Sequence, residues 1–276
     1  MTTLSRPTAL PRPGTLLAAA LAVLLAVAAL RPSWLTGAGP ADVDPQAILR
    51  APSAAHPFGT DQLGRDVLAR VVHGAGYSLG TGLSATLLAV TGGCVFGLLA
   101  AFGGRAADQV VSRVVDVLLA FPGLLLALLV IAVLGPGPVT AVPAIGLASI
   151  PHYTRLVRGQ ALVAAHAGYV EAAVALGRPR LAVLLRHVLP NIAGPVLVLA
   201  TLGTGTAIMI GSSLSFLGLG AQPPAPEWGA MLADGRDFAA LAWWPAVFPG
   251  AAIAATVVTI TVLGRRARDR SAGAPA

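Results

Sequence analysis

The stretch EAAVALGRPRLAVLLRHVLPN, residues 171–191, decides the fold of this chain. It is a polar, Arg-bearing segment that separates two hydrophobic runs. Its pattern predicts a short helix from Tyr169 to Leu176, a stop at Gly177, and a second helix that begins at Pro179 and ends at Pro190. A membrane protein of this size rarely keeps such a long loop between spans without a partner that docks on it.

The composition of the whole chain is that of a membrane protein. Hydrophobic residues make up 56% of it, charged residues 11%, and the mean hydropathy is +0.80. A spanning helix needs about 20 apolar residues, and the longest uncharged run is divided by the turn signal LGPGPVTAVP. We therefore predict an all-α, polytopic membrane helix bundle with about six transmembrane helices. The predicted spans are roughly residues 14–34, 78–102, 114–134, 139–158, 192–215 and 243–264.

The distribution of charge predicts the orientation. All 18 Lys and Arg positions hold Arg. With the N-terminus in the cytoplasm, 13 of them fall on inside segments, and 7 of the 11 acidic residues fall outside, as the positive-inside rule requires. Both termini are then cytoplasmic, and the net charge of +7 reflects topology and anionic lipid rather than nucleic acid. The alternative is that the first apolar run is a cleaved signal peptide, which would leave five spans.

Several kinds of chemistry are absent from the sequence. Without Lys the chain lacks a Walker A loop, so any ATP hydrolysis needs a separate subunit. The single Cys94 and the scattered His residues predict no disulfide framework, metal site or cofactor. The stretch GYSLG, residues 76–80, matches the G-x-S-x-G nucleophile elbow, but it opens a predicted membrane helix. We expect packing there, and a chain that is not an enzyme.

Local patterns add predictions about packing. Gly93 and Gly97 have a spacing that permits close helix approach, and Pro122 implies a kink. Gly59 and Asp61 indicate a turn, followed by an amphipathic helix over residues 66–73 that leads into the second span. Trp243 and Trp244 are expected to anchor the last span at the membrane interface.

Four segments resemble known signatures. The EAA–G–LP spacing of residues 171–190 resembles the EAA loop of ABC-transporter permeases. The stretch HPFGTDQLGRDVLARVVHGAGYSL (residues 56–79), the segment 102–122 and the stretch SSLSFLGLGAQPPAPEWGAML (residues 212–232) resemble the peptide/nickel, or dipeptide and oligopeptide, branch of that superfamily. The resemblance covers roughly residues 55–264, and we identify the chain as similar to permease subunits of this branch.

The resemblance implies the type I permease fold of an ATP-driven ABC importer in the bacterial cell membrane. Its partners would be a homologous permease in a heterodimer, two ABC ATPase subunits or domains that bind ATP and Mg, and an extracytoplasmic solute-binding protein. The cargo would be peptides or related small solutes. Dipeptides, oligopeptides, nickel chelates, opines and glutathione stay open.

The resemblance also implies the roles of particular residues. The EAA loop, about residues 160–190, would dock the ATPase through Tyr169, Glu171, Ala172, Ala173, Leu176, Gly177, Leu189 and Pro190. The outer signature segments would hold Gly59, Thr60, Asp61, Gly64, Arg65, Asp66, Phe216, Gly218, Gly220 and Trp228. In the EAA loop, Ala172 and Ala173 are small enough for another protein to approach, and Glu171 could form an ion pair there.

The expected organisation has three parts. Residues 1–55 hold the N-terminal tail, the first span and an outer linker. Residues 56–264 form the transmembrane domain with its EAA loop, and residues 265–276 form a basic tail. An ion-coupled secondary transporter is the alternative function. It would need intramembrane acids, whereas Asp116, the acid closest to a span, lies at its edge.

Overall fold

The computed structural model describes residues 13–271, so most of the predicted N-terminal tail and the end of the C-terminal tail lie outside the described residues. Within this range the secondary structure is helical apart from one isolated bridge between Thr60 and Asp66, which confirms the all-α prediction. The helices are α1 (Pro13–Leu30), α2 (Val67–Phe102), α3 (Gly104–Leu119), α4 (Gly123–Leu134), α5 (Pro138–Ala165), α6 (Gly168–Ala175), α7 (Arg180–Val183), α8 (Leu189–Phe216), α9 (Trp228–Arg236) and α10 (Trp244–Ser271).

The bundle is organised around α2 and α5, which pack along each other and against α8. One core cluster joins α2, α4, α5 and α8, with Ala127, Ala144 and Ile145 fully buried. A second cluster joins α1, α2, α9 and α10 around Trp228 and Trp244. The two outer signature segments therefore meet in a core of their own, away from the EAA loop.

Three described helices are long and apolar enough to cross a membrane, namely Val67–Phe102, Leu181–Phe216 and Trp244–Asp269. The bent pair α3 and α4 gives a fourth if it forms one span. The apolar stretch Gly14–Leu30 of α1 is shorter. The 28-residue α5 is long enough, but it carries Pro, His and Arg residues that lower its hydropathy.

The predicted amphipathic helix and the second span are one continuous helix. With 36 residues, α2 is about 54 Å long at about 1.5 Å per residue, which exceeds the roughly 30 Å hydrocarbon core of a bilayer. The helix is therefore longer than a crossing perpendicular to the membrane requires. Asp66 caps its N-terminal end, accepting a hydrogen bond from Ala69 N at 2.8 Å.

The predicted third span, residues 114–134, is broken rather than kinked. α3 and α4 meet at an angle of 99°, with α4 beginning after Pro122. Pro lacks the N–H that would continue the helix, and it disfavours helical geometry at the residue before it, Phe121. The sequence located the bend correctly but understated its size.

The first basic residues after Gly264 belong to the last helix rather than to a separate tail. α10 continues through Arg265 and Arg266 to Ser271, so the charged segment extends the last helix by about two turns.

The small residues of α2 permit close packing on α5, as predicted. A Cβ at Gly93 would lie 2.9 Å from the Tyr153 carbonyl carbon and 3.0 Å from Thr154 N, and one at Gly97 would lie 2.7 Å from Val157 Cβ. Two of these contacts are with backbone, which cannot move aside. The spacing Gly93–Gly97 therefore serves packing within this chain.

We expect Gly93→Ala to destabilise the chain by about 1–3 kcal/mol through overpacking, because the new methyl group meets the α5 backbone. Gly80→Ala is the matched control on the same helix, since nothing lies within 4 Å of the added Cβ, and it should be neutral or stabilising. Thermal unfolding in detergent measures both. Equal effects of the two substitutions would contradict the packing argument.

The prediction that Pro190 ends the second helix of the loop is wrong. A π turn over Leu184–Val188 follows α7, and Pro190 lies in the first turn of α8. In the π turn the Leu189 N–H donates to the Leu184 carbonyl, one residue further back than in an α-helix. This wider turn makes room for the proline ring, so the helix continues.

Candidate functional site

The first helix of the EAA loop ends in a Schellman turn. The Arg178 N–H donates to the Ala173 carbonyl at 3.2 Å, and the Gly177 N–H donates to the Val174 carbonyl at 2.9 Å. Gly177 has φ +75°, a conformation that costs other L-residues about 1–2 kcal/mol. The predicted glycine stop is confirmed, and the helix is Gly168–Ala175.

One side of α6 is buried within the loop itself. Val170 and Ala173 are 3% and 6% exposed and pack with Val183 of α7. The structure therefore corrects the prediction that Ala173 faces another protein. Its small side chain lets the two halves of the loop pack together.

The other side chains of α6 and its final turn are exposed, and we call them the docking face: Tyr169, Glu171, Ala172, Val174 and Leu176. Leu176 is 80% exposed and Val174 is 56% exposed. Leu181, after the turn, is 65% exposed. Apolar side chains grouped on a polar loop favour contact with another protein.

Leu189 and Pro190 lie on α8, beyond the docking face. The two halves of the loop are linked by the rings of Tyr169 and His187, whose centroids are 6.3 Å apart. Within residues 13–271, His187 Nε2 is buried and has no hydrogen-bond partner. The π turn that leads into α8 is thus in contact with the docking face through this ring pair.

Two ion pairs fix the end of α5 that leads into the loop. Arg158 Nη2 donates to Asp108 Oδ2 at 2.8 Å, and Arg155 Nη2 donates to Asp116 Oδ1 at 2.5 Å. Both acids are on α3. The charged segment 102–122 therefore pairs with α5 just before the EAA loop. The half-buried Arg158–Asp108 pair is the stronger contact, because Arg155 and Asp116 are both exposed.

The outer GTDQLGRD stretch is a buried turn. Asp61, 4% exposed, accepts hydrogen bonds from Leu63 N at 2.8 Å, Arg65 N at 3.0 Å and Arg65 Nε at 2.6 Å. Gly59 and Gly64 have φ of +70° and +76°, which side chains rarely adopt. The turn prediction for Gly59 and Asp61 is confirmed.

This turn joins the outer linker to two long helices. The Thr60 carbonyl accepts from Trp244 Nε1 at 2.9 Å, and the capping residue Asp66 lies 2.8 Å from His56 Nδ1. Trp244 is only 7% exposed. Its predicted role as an interfacial anchor is therefore wrong, whereas Trp243, 52% exposed, is free to take that role.

The outer turn does not resemble a metal site. His56 is paired with Asp66, and both oxygens of Asp61 accept hydrogen bonds. Across residues 13–271 no group of three or more His, Cys, Asp or Glu is placed to hold a metal ion. The geometry favours a structural role for His56 and Asp61.

The second outer segment is anchored by Trp228. This residue is 1% exposed, and its Nε1 donates to the Val71 carbonyl of α2 at 2.8 Å. Glu227 caps α9 by accepting from Ala230 N at 2.9 Å, and it accepts from Ser78 Oγ at 3.2 Å. Ser78, the serine of GYSLG, is therefore a buried helix residue bonded to a cap, which supports packing rather than catalysis.

The remaining signature residues shape the turn after α8. Gly218 has φ +76°, and a side chain at Gly220 would collide with Ser215. The Arg236 guanidinium lies 5.2 Å from the centre of the Phe216 ring, a cation–π contact. These residues hold the irregular segment 217–227 onto the bundle, as non-helical backbone near a membrane requires.

Sequence reasoning missed several residues, both in the EAA loop and in the outer segments. Glu227 and Arg70 are 5% and 2% exposed, and Arg70 Nε lies 3.5 Å from Asp61 Oδ2. Glu227 gave no N-cap signal in the sequence, because the residues that predict an N-cap are Ser, Thr, Asp and Asn. Val174 and Leu181 gave no local signal, because only the packing shows that these two are exposed.

The comparisons with known proteins agree with this geometry. The family described as binding-protein-dependent transport system inner membrane component matches residues 93–272. The chain is 43% identical over 235 residues to the dipeptide transport system permease protein DppC of Alkalihalophilus pseudofirmus, covering 85% of this chain and 77% of that protein. It is 40% identical over 253 residues to the di/tripeptide permease DppC of Pseudomonas aeruginosa, covering 90% and 84%.

A further relative is the glutathione transport system permease protein GsiD of Pectobacterium atrosepticum, 43% identical over 218 residues, or 79% of this chain and 72% of that protein. Among solved structures, a chain of the inward-facing MetNI methionine ABC transporter has a TM-score of 0.59 at 18% identity, over 72% of this chain and 94% of that one. The fold is thus that of an ABC importer permease. The chain belongs to the family of inner-membrane components of binding-protein-dependent transport systems.

Proposed function

We propose that this chain is one permease half of an ATP-driven importer of small peptides, and that an ATPase subunit binds its docking face. The observation that carries the proposal is the EAA loop. It presents exposed apolar side chains on a short helix, closed by Gly177, between two long helices. The named activities of the relatives, which concern dipeptides, di/tripeptides and glutathione, support peptides as the solute class.

We propose that the chain crosses the inner membrane six times, with both termini in the cytoplasm. α1, α2, the bent pair α3–α4, α5, α8 and α10 would supply the crossings, and the excess of Arg on the cytoplasmic side supports this orientation. The outer turn and the Trp228 segment then face the binding protein. In this proposal the boundary at residue 264 marks the charged extension of α10 rather than the start of a separate tail.

The partners in this proposal are a homologous permease, two ATPase subunits and an extracytoplasmic binding protein. ATP would close the ATPase pair, displace α6 and move α8 through the contact of Tyr169 with His187. ATP must favour one permease conformation over the other for this to work.

The chain is a non-catalytic permease component, and cofactor chemistry belongs to other subunits. Family membership also decides against the ion-coupled secondary transporter. Nickel chelates are not part of the proposal, because these relatives are named for peptides and glutathione.

Reconstitution tests the proposed function. The chain is expressed with its partner permease, ATPases and binding protein, and the purified complex is placed in proteoliposomes. We expect uptake of labelled alanyl-alanine that requires both ATP and the binding protein. Uptake that follows a proton gradient without ATP, or a chain that purifies without an ATPase, would overturn the proposal.

The docking face allows a matched pair of substitutions. Leu176 and Leu241 are 80% and 82% exposed, but Leu241 lies in the outer segment before α10. We expect Leu176→Ser to weaken binding of the ATPase by about 1–2 kcal/mol, or roughly five- to thirtyfold, and Leu241→Ser to leave it unchanged. Titration of the purified permease pair with ATPase measures the difference. Equal affinities would place the ATPase contact elsewhere.

A further inference from the structure

The structure assigns a solute-contacting site to a polar cavity between α2, α5 and α8, and we propose that it binds the carbonyl and carboxylate groups of a passing peptide. The cavity has a volume of about 250 Å³. Its polar lining consists of Thr86, Ser149, His152, Tyr153 and Thr206. The proposal rests on the proposed transport function and names the side chains that would meet the solute.

The position of the cavity argues against contact with lipid. His152 lies near the middle of the 28-residue α5, and Thr206 lies in the central part of the 28-residue α8. Both side chains are exposed on this chain. An imidazole exposed to hydrocarbon at mid-membrane is costly, so this face must meet water, a solute or protein.

Some of the polar groups are already satisfied within their own helices. Thr86 Oγ1 donates to the Gly82 carbonyl at 2.8 Å, and Ser149 Oγ donates to the Ile145 carbonyl at 2.7 Å. These two side chains line the cavity but do not need a further partner.

Three other side chains that line the cavity make no hydrogen bond within residues 13–271: His152, Tyr153 and Thr206. Tyr153 gives the strongest argument of the three. The residue is only 3% exposed, yet it lines the cavity, and its hydroxyl packs against Gly203. Its hydroxyl oxygen is not among the fully buried unpaired atoms of residues 13–271, so it is accessible from the cavity rather than sealed inside the bundle. A group that enters the cavity can satisfy it.

The chemistry of the lining selects the kind of solute group. A neutral or charged imidazole donates at least one hydrogen bond, and the Tyr and Thr hydroxyls also donate. The cavity lining contains no acidic residue, so it offers nothing to balance an ammonium group. A cavity that offers hydrogen-bond donors and no acidic side chain suits solute groups that accept hydrogen bonds. In a peptide these groups are the carbonyl oxygens and the terminal carboxylate.

The size of the cavity fits one half of a shared path. Binding pockets for drug-sized ligands have volumes of about 300–1,000 Å³, and this cavity, at about 250 Å³, is open on the face formed by His152 and Thr206. The homologous permease of the proposed pair would complete it. Gly203 is required for this shape, since any side chain there would displace the Tyr153 hydroxyl.

The first test measures uptake of labelled alanyl-alanine by the whole importer in proteoliposomes. We expect His152→Leu to lower kcat/KM for uptake about three- to tenfold, the effect of one lost hydrogen bond. His152→Gln, which keeps a donor, should retain activity within about twofold. ATPase activity stimulated by the binding protein should stay at the parental level in both. Parental uptake by His152→Leu would overturn the inference.

The second test is independent of transport. In a Cys94→Ser background, His152→Cys and Thr206→Cys should react with a water-soluble maleimide, and added alanyl-alanine should slow the reaction. Val258→Cys on α10, a position 61% exposed, is the control that should not react. Cross-linking of position 152 to the partner permease without maleimide labelling would show a protein contact and overturn the inference. Loss of ATP-driven uptake by the parent would instead refute the proposed function, while this labelling still tests the cavity.

Discussion

Gly177→Glu should abolish coupled uptake while the permease stays folded. The substitution places an L-residue at φ +75°, at a cost of about 1–2 kcal/mol, and adds a charge beside the apolar Leu176 at the proposed ATPase contact. The strain is present in the free and the bound loop alike, so the charge carries the effect on binding, which we expect to be about 2 kcal/mol, or roughly thirtyfold weaker ATPase binding. ATP-dependent uptake and ATPase titration measure the loss.

The space around Gly177 indicates that the loss of uptake would not result from misfolding. Nothing lies within 4 Å of an added Cβ, so Glu creates no collision inside the chain. Helix content should be retained, and stability should fall only by the strain of about 1–2 kcal/mol. Gly177→Asn is the matched variant, because Asn adopts the left-handed conformation more readily and carries no charge. It should keep most of the uptake. Parental uptake by Gly177→Glu in a normally assembled complex would refute the docking proposal.

The parts of the fold that the sequence predicted depend on local rules. The glycine stop at Gly177, the turn at Gly59 and Asp61, and the close approach at Gly93 all follow from what a glycine or a short acid permits in its immediate surroundings. Long apolar runs likewise located α2, α8 and α10, because a membrane fixes the length of a span.

The errors arise where packing decides. Pro190 continues a helix because the preceding π turn makes room for its ring, and no local pattern shows that turn. Ala173 is buried because α7 folds back onto α6. Trp244 is buried because the outer turn reaches it with the Thr60 carbonyl. Each outcome depends on a segment distant in sequence or on a backbone geometry that the residue types do not specify.

The polar cavity illustrates the same limit for function. His152 and Thr206 are 54 positions apart in the sequence, and each alone reads as an isolated polar residue in a span. Only the packing of α5 on α8 brings them to one cavity with the Tyr153 hydroxyl. A sequence does not show which polar residues of different helices share a face.

Asp61→Asn should be the most destabilising single change in the outer region. Arg65 and Arg70 are 4% and 2% exposed, and Asp61 Oδ2 lies 2.6 Å and 3.5 Å from their Nε atoms. Asp234 lines the same small cavity as Asp61 and Arg70, but burial raises the pKa of its carboxyl group, which weakens it as a substitute counter-ion. Removing the Asp61 charge leaves buried cations uncompensated, at a cost of about 3–5 kcal/mol.

Two comparisons test this reasoning by thermal unfolding of the purified chain. Asp237→Asn removes the charge of an ion pair whose members are 62% and 66% exposed, and it should produce no measurable change, because exposed pairs contribute little. Adding Arg70→Met to Asp61→Asn should recover part of the lost stability, since an apolar side chain needs no counter-ion in a buried site. A double variant no more stable than Asp61→Asn would show that Asp61 acts through its turn hydrogen bonds, which the Asn amide cannot fully replace, rather than through its charge.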